Sequence, residues 1–157
     1  MELSVVNFFK TVLPQSGAYY AVARRAVTDN YPRHAVCVDI EAMLSKLDLV
    51  TPQDYWFAPA SFTQGYHDVV GRDGNTRKQF RTANNVAVLR SYWLDIDVGA
   101  DKPYQTTEQA MRALRQFMVD TGMPIPTVVF SGSGGMHLYW SANQDISKSH
   151  WLDMATR

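Results

Sequence analysis

Residues 92–99 read Tyr-Trp-Leu-Asp-Ile-Asp-Val-Gly. Two aspartates, Asp95 and Asp97, interrupt a run that is otherwise apolar. Along a β-strand, side chains at i and i+2 leave from the same face. The run therefore predicts a strand that carries both carboxylates on one face with Trp93, and turns Leu94 and Ile96 into a core. Adjacent ionised carboxylates repel, and a half-buried strand makes that repulsion costly unless a positive group answers it. Hard oxygen ligands suit Mg2+ or Mn2+, so the stretch points to a divalent-metal site and to phosphoryl or nucleotidyl transfer.

Downstream the pattern is regular. A strand over 91–98 is followed by a linker and then by Thr106 and Gln109, which form a capping-box pair for a helix to Thr121. Ala110, Met111, Leu114, Phe117 and Met118 make its apolar stripe, and Gly122 and Pro124 end it. A strand over 127–131, a Gly-Ser-Gly-Gly loop and a strand over 136–141 come next. Ser147 then caps a second helix that contains Trp151, Leu152 and Met154. Strand, helix, strand, strand, helix is a βαββα(β) series, the RNA-recognition or ferredoxin-like arrangement without its last strand. The expected class is α+β, with an N-terminal αβ unit over 1–90 and this module over 91–157. Helices cover one sheet face in that arrangement, and parity assigns Trp93, Asp95 and Asp97 to the open one. The strand over 136–141 is expected to run antiparallel beside 91–98, which brings His137 near Asp97. The unpaired edge of 91–98 is expected to be bare.

The loop itself, Ser131-Gly-Ser133-Gly134-Gly135, allows close backbone approach and can present N–H groups to an anion. His137 follows it with two ring nitrogens suited to phosphate oxygens. Tyr139 shares the parity of His137 and is open to two readings, stacking on a base or packing on the sheet.

Upstream, Leu3, Val6, Phe9 and Leu13 fall at helical spacing before Pro14. Strands are expected over 17–27 and, short and buried, over 34–38. A helix from Asp39 to about residue 47 follows; Asp39 and Glu41 suit its N-terminal cap and dipole better than a metal. Residues 54–62 read as a strand that Pro59 either breaks or makes an edge, and 63–75 as an exposed polar excursion with a turn at Asp73-Gly74. Residues 84–89 read as a short helix. Between 72 and 90 stand Arg72, Arg77, Lys78, Arg81 and Arg90 against the single acid Asp73. This stretch is either a solvated loop or a phosphate-contacting patch.

With 46% hydrophobic and 19% charged residues the chain has a globular composition, and its 157 residues suffice for one composite domain. Lys+Arg and Asp+Glu are 15 each, so any nucleic-acid footprint has to be local. The single cysteine, Cys37, excludes an internal disulfide and a multi-cysteine zinc site. It sits among apolar residues and reads as core. Neither a signal peptide nor a membrane-spanning run is visible, and the default compartment is the cytoplasm.

The two motifs in order, 92–99 and then 130–140 (FSGSGGMHLYW), resemble the archaeo-eukaryotic primase superfamily, in particular the primase-polymerase domains of phages and plasmids. Residues 80–97 (FRTANNVAVLRSYWLDID) also look like the approach to the catalytic strand in phage-type members. The resemblance implies a DNA primase or polymerase, a nucleotidyltransferase of DNA replication. Asp95 and Asp97 would bind the two Mg2+ or Mn2+ ions that align the primer 3′-oxygen with the α-phosphate. His137 would contact the triphosphate, helped by Ser131, Ser133, Gly134, Gly135 and Arg81. Arg77, Lys78 and Arg81 would contact nucleic acid. The implied partners are DNA template and primer, nucleoside triphosphates and a fused or associated helicase. The third acid of the family has no match, since Asp145 and Asp153 fall in a loop and helix ahead of the expected strand. The chain is therefore expected to be an incomplete catalytic domain of a longer protein. Three rivals remain. A manganese-dependent DxD glycosyltransferase gives the glycine loop no role, and a replication-initiator nuclease wants a second histidine. A catalytically inactive nucleotide or single-strand-binding module would account for the missing acid.

Overall fold

Ser4 opens the first helix by accepting a hydrogen bond from the Asn7 amide, and α1 (Val5–Val12) ends where Leu13 turns extended ahead of Pro14. The structure is a computed structural model that describes all residues except 1–3, 27, 29, 49, 52, 133 and 157. Leu3, Val27 and Ser133 of the expectations above lie outside the described residues. The class is mixed α+β, with four α-helices among the described residues and mostly antiparallel sheets.

Two compact units share the chain: residues 1–90 with 143–157, and residues 91–142. In the first, β1 (Tyr20–Ala26), β2 (Arg33–Cys37) and β3 (Gln53–Phe57) form an antiparallel sheet in the order β2-β1-β3. Alternation along β1 sends Tyr20 and Val22 into a core with Phe9, Leu13, Cys37, Ile40 and Met43. It sends Ala21 into a second core with Ala60, Phe62, Phe80 and Leu89. Cys37 is buried as expected, and burial pushes its thiol pKa up. The rest of β2 is not buried, because β2 is an edge strand. Asp39 caps α2 (Ile40–Leu44), its carboxylate accepting from the Ala42 amide at 2.6 Å. The helix is shorter than expected and stops at Leu44.

Pro59 does break the next strand, leaving β3 and then β4 (Ala60–Phe62). Residues 63–75 are the exposed excursion expected, with the turn at Asp73-Gly74, but they carry strand structure that was not expected. They enter a hairpin of β5 (His67–Val70) and β6 (Thr76–Gln79), closed through Asp73-Gly74, where Gly74 takes φ +76°. Every residue of β6 is exposed, so no apolar alternation announced it. The expected helix over 84–89 is a single 3-10 turn at Ala83–Asn85. The buried Asn85 side chain binds Thr63, Gln64 and Phe80 there, and β7 (Val86–Ile96) starts at once. Val86 and Val88 are β-branched and find partners in β4 at Phe62 and Ser61, which decides for strand over helix.

Beyond β7 come α3 (Thr107–Thr121), β8 (Thr127–Phe130), β9 (Met136–Ser147) and α4 (Lys148–Ala155). The expected capping box of α3 is present, Gly122 ends the helix in the left-handed region, and Ser147 caps α4. The sheet order is β4-β7-β9-β8, with β4 antiparallel to β7 and β8 antiparallel to β9. β4 covers that edge of β7 along Val86 to Leu89, ahead of the 91–98 stretch whose edge was expected to be bare. In the second unit Ala110, Leu114, Met136 and Leu138 form the core, with Ile96, Val98 and Met118 packed against it.

Asp145 lies on β9, not in a loop. Its carboxylate accepts from the amides of Gln15 (3.0 Å) and Ser16 (2.7 Å), the Ser16 hydroxyl and Arg90 Nη1 (3.3 Å). Burial pushes its pKa up, but the Ser16 and Gln15 hydrogen bonds and the Arg90 charge outweigh it and hold the carboxyl below its ordinary value.

Candidate active site

Within the second unit, Ser91 Oγ lies 2.9 Å from Ser141 Oγ. Four residues on along β7 and four back along β9, Asp95 Oδ1 meets His137 Nε2 at 3.4 Å. Those two contacts require β7 and β9 to run in opposite directions, as the sequence implied. They also correct the register. His137 faces Asp95, and the pair is ionic whenever the imidazole is protonated.

Asp97 lies one residue beyond the end of β7, so the strand's parity no longer governs it. It pairs instead with Lys102, whose Nζ sits 2.8 Å from Oδ2. The loop that carries Lys102 is tied by a bridge between Val98 and Tyr104 and by the Gly99 amide, which donates to the Tyr104 carbonyl. The Asp97 contacts push the Lys102 pKa up. Sequence reading missed Lys102, because a contact across a loop leaves no periodic trace. Its one signal is a cation within the turn that follows the acid pair. The two aspartates also share a cavity of about 380 Å3 with Leu94, Ile96, Tyr104, Leu114 and Phe117.

The glycine loop sits against the end of β7. A Cβ placed on Gly135 would lie 2.8 Å from the Ile96 carbonyl oxygen and 3.8 Å from the Asp97 Cα, so only glycine fits. Gly134 takes φ +91°, and its carbonyl accepts from the Thr107 hydroxyl at the start of α3. The loop is closed by Gly134 N to Ser131 O and Ser131 N to Gly135 O. Of the amides around Ser133 to Gly135 expected to face a ligand, that of Gly134 serves the loop itself. Tyr139 is 6% exposed and is a packing residue. Burial and then the Asp95 charge push its hydroxyl pKa up to about 12. Trp93, on the same face, is 43% exposed.

The unit thus brings together Asp95, Asp97, His137, Ser131, Gly134 and Gly135. Among the described residues no three acidic, imidazole or thiol groups converge to enclose an ion. Two carboxylates nevertheless form a donor set that suits Mg2+ or Mn2+, which keep water and substrate phosphate as further ligands. Arg77, Lys78 and Arg81 belong to the first unit. Arg77 pairs with Asp73, whereas Lys78 and Arg81 line a cavity of their own.

Comparison with family models, with curated proteins and with solved structures returns no match. Among the described residues no helix is long and apolar enough to cross a membrane.

Proposed function

We propose that this chain is a nucleotidyl-transfer domain of the primase-polymerase type, of the kind phages and plasmids carry. The observation that carries the reading is the seat of Gly135 on the Ile96 backbone, which joins the glycine loop and the His137 strand to the carboxylate pair. The sheet order gives further support: β7, β8 and β9 with α3 follow the first four elements of an RNA-recognition-type module, and β4 stands where its last strand would.

In this reading Asp95 and Asp97 hold the divalent ions, Mg2+ or Mn2+, and His137 grips the triphosphate of the incoming nucleotide. Bound there, the ions would acidify the primer hydroxyl and neutralise charge gathering on the α-phosphate. Lys102 neutralises Asp97 while no substrate is present and has to withdraw as the site fills. His137 likewise exchanges Asp95 for a phosphate oxygen. Template, primer and nucleoside triphosphates are the partners, a fused or associated helicase opens the duplex, and the work is cytoplasmic. A second reading, an inactive nucleotide-binding module, is favoured by the absence of a third converging acid among the described residues.

Template-dependent nucleotide incorporation tests the proposal. The wild type extends a primer with Mn2+ or Mg2+, and Asp95→Ala/Asp97→Ala abolishes extension. Undiminished synthesis by the double variant overturns the assignment. Inactive wild type that gains thermal stability from Mn2+ and a nucleoside triphosphate, with His137→Ala removing that gain, selects the second reading.

A further inference from the structure

His34 lies on the edge strand β2 and lines two separate cavities of the first unit. One, of about 520 Å3, is bounded by Tyr66, Lys78, Gln79, Phe80 and Arg81. The other, of about 390 Å3, has Arg24, Arg33, Ser45, Lys46 and Tyr55 among its walls. The chain has no net charge, yet five Lys and Arg side chains line these cavities against one carboxylate, Asp48. That carboxylate is engaged by Thr51 and the Val50 amide and also lies within the field of Arg24. Partial burial and then the nearby Arg81 charge hold the His34 pKa down. Tyr66 is 52% exposed, and its position is fixed by its hydroxyl bond to the His34 carbonyl (3.3 Å) and its ring contact with Phe80.

Cations in two cavities that meet at one edge-strand residue, with an anchored, half-exposed aromatic ring beside them, suit a flexible phosphodiester chain passing over that edge. We propose that these two cavities form one track for single-stranded nucleic acid. Lys78 and Arg81 hold phosphates at one end, Arg24, Arg33 and Lys46 hold them at the other, His34 stands at the junction and Tyr66 stacks on a base. The cavity of Arg24, Arg33 and Lys46 is the new anion site. The choice of nucleic acid over another polyanion rests on the function proposed above.

The test is fluorescence anisotropy of the full chain with a labelled oligothymidylate across a salt series. Arg24→Gln/Lys46→Gln is expected to weaken binding roughly tenfold at low salt, and to lower the log–log salt slope by about 1.4, at about 0.7 per cation. Tyr66→Ala is expected to weaken oligothymidylate binding about fivefold or more and to leave inorganic polyphosphate binding unchanged. Circular dichroism checks that each variant is folded, and Arg24→Lys retains the charge and restores the slope if the pair of Gln substitutions disturbs packing. An unchanged slope in folded Arg24→Gln/Lys46→Gln overturns the track. So does thymidine monophosphate or polyglutamate binding as tightly as the oligonucleotide. The polymerase reading is judged separately, by Mn2+-dependent primer extension and its loss in Asp95→Ala/Asp97→Ala, so either can fail alone.

Discussion

Replacing Asp145 with alanine removes the acceptor for four donors at once: the Gln15 amide, the Ser16 amide, the Ser16 hydroxyl and the Arg90 guanidinium. Arg90 and Asp145 are only 19% and 15% exposed, so water replaces little of what is lost, and Arg90 Nε is already buried without a partner. A hydrogen bond to a charged group contributes about 1.5–3 kcal/mol, but the four act as one unit and do not add. Breaking a buried pair by removing one member costs about 3–5 kcal/mol, which is the magnitude expected here. For a chain of this size about 4 kcal/mol corresponds to a fall in Tm of roughly 8–16 °C. The pH dependence has a definite sign. The folded pKa of Asp145 lies below the unfolded value of about 3.9, so its contribution is complete above that value and is lost as pH falls through the folded pKa. Urea unfolding followed by circular dichroism at pH 7 and again below pH 4 measures both effects, with the gap between wild type and Asp145→Ala closing at the lower pH. The exposed pair of Arg25 and Asp54, 42% and 60% exposed, is the control, and Asp54→Ala is expected to cost about 1 kcal/mol or less. A loss below about 1 kcal/mol for Asp145→Ala, or a gap that widens in acid, refutes the reasoning.

The remaining predictions concern the second unit. Gly135→Ala drives a methyl group against the Ile96 carbonyl and should cost about 1–3 kcal/mol, whereas Gly132→Ala, with open space around it, should stay within about 0.5 kcal/mol. Thermal unfolding separates the two, and equal stabilities would dismiss the close approach of loop and strand. Lys102→Met removes the ammonium that competes for Asp97 and should tighten Mn2+ binding, measured by calorimetry. Weaker binding would make Lys102 a support of the site.

The helix starts at Asp39, Thr106 and Ser147 and the meeting of Asp95 with His137 could be read because local chemistry declares them. Thr106 with Gln109, Ser147 and Asp39 each announce a helix start through a hydrogen bond spanning three residues, and all three caps form. Asp95 and His137 met because their parity and the strand order sufficed, although the register, which depends on how far each strand slides, favoured Asp95 over Asp97. What escaped was set by distant partners. Residues 86–89 hold Ala and Leu beside two valines, and β4, more than twenty residues earlier, made them a strand. In the β5–β6 hairpin β6 is wholly polar and the two valines of β5 fall on opposite faces, so alternation carried no signal. Asp145 looked like a loop acid until Gln15 and Ser16, about 130 residues away, gave it donors.

Arg90 and Asn143 mark where the chain leaves the first unit and where it returns, and Arg90 Nη2 donates to the Asn143 carbonyl at 3.4 Å. The two crossing points therefore adjoin. In genetic terms residues 91–142 are a cassette let into a host. A short turn could replace the cassette without stretching the host, and a differently evolved cassette could be spliced between the same two positions. The acid pair and glycine loop lie wholly inside the cassette, while the Asp145 tie and the His34 cavities lie wholly in the host.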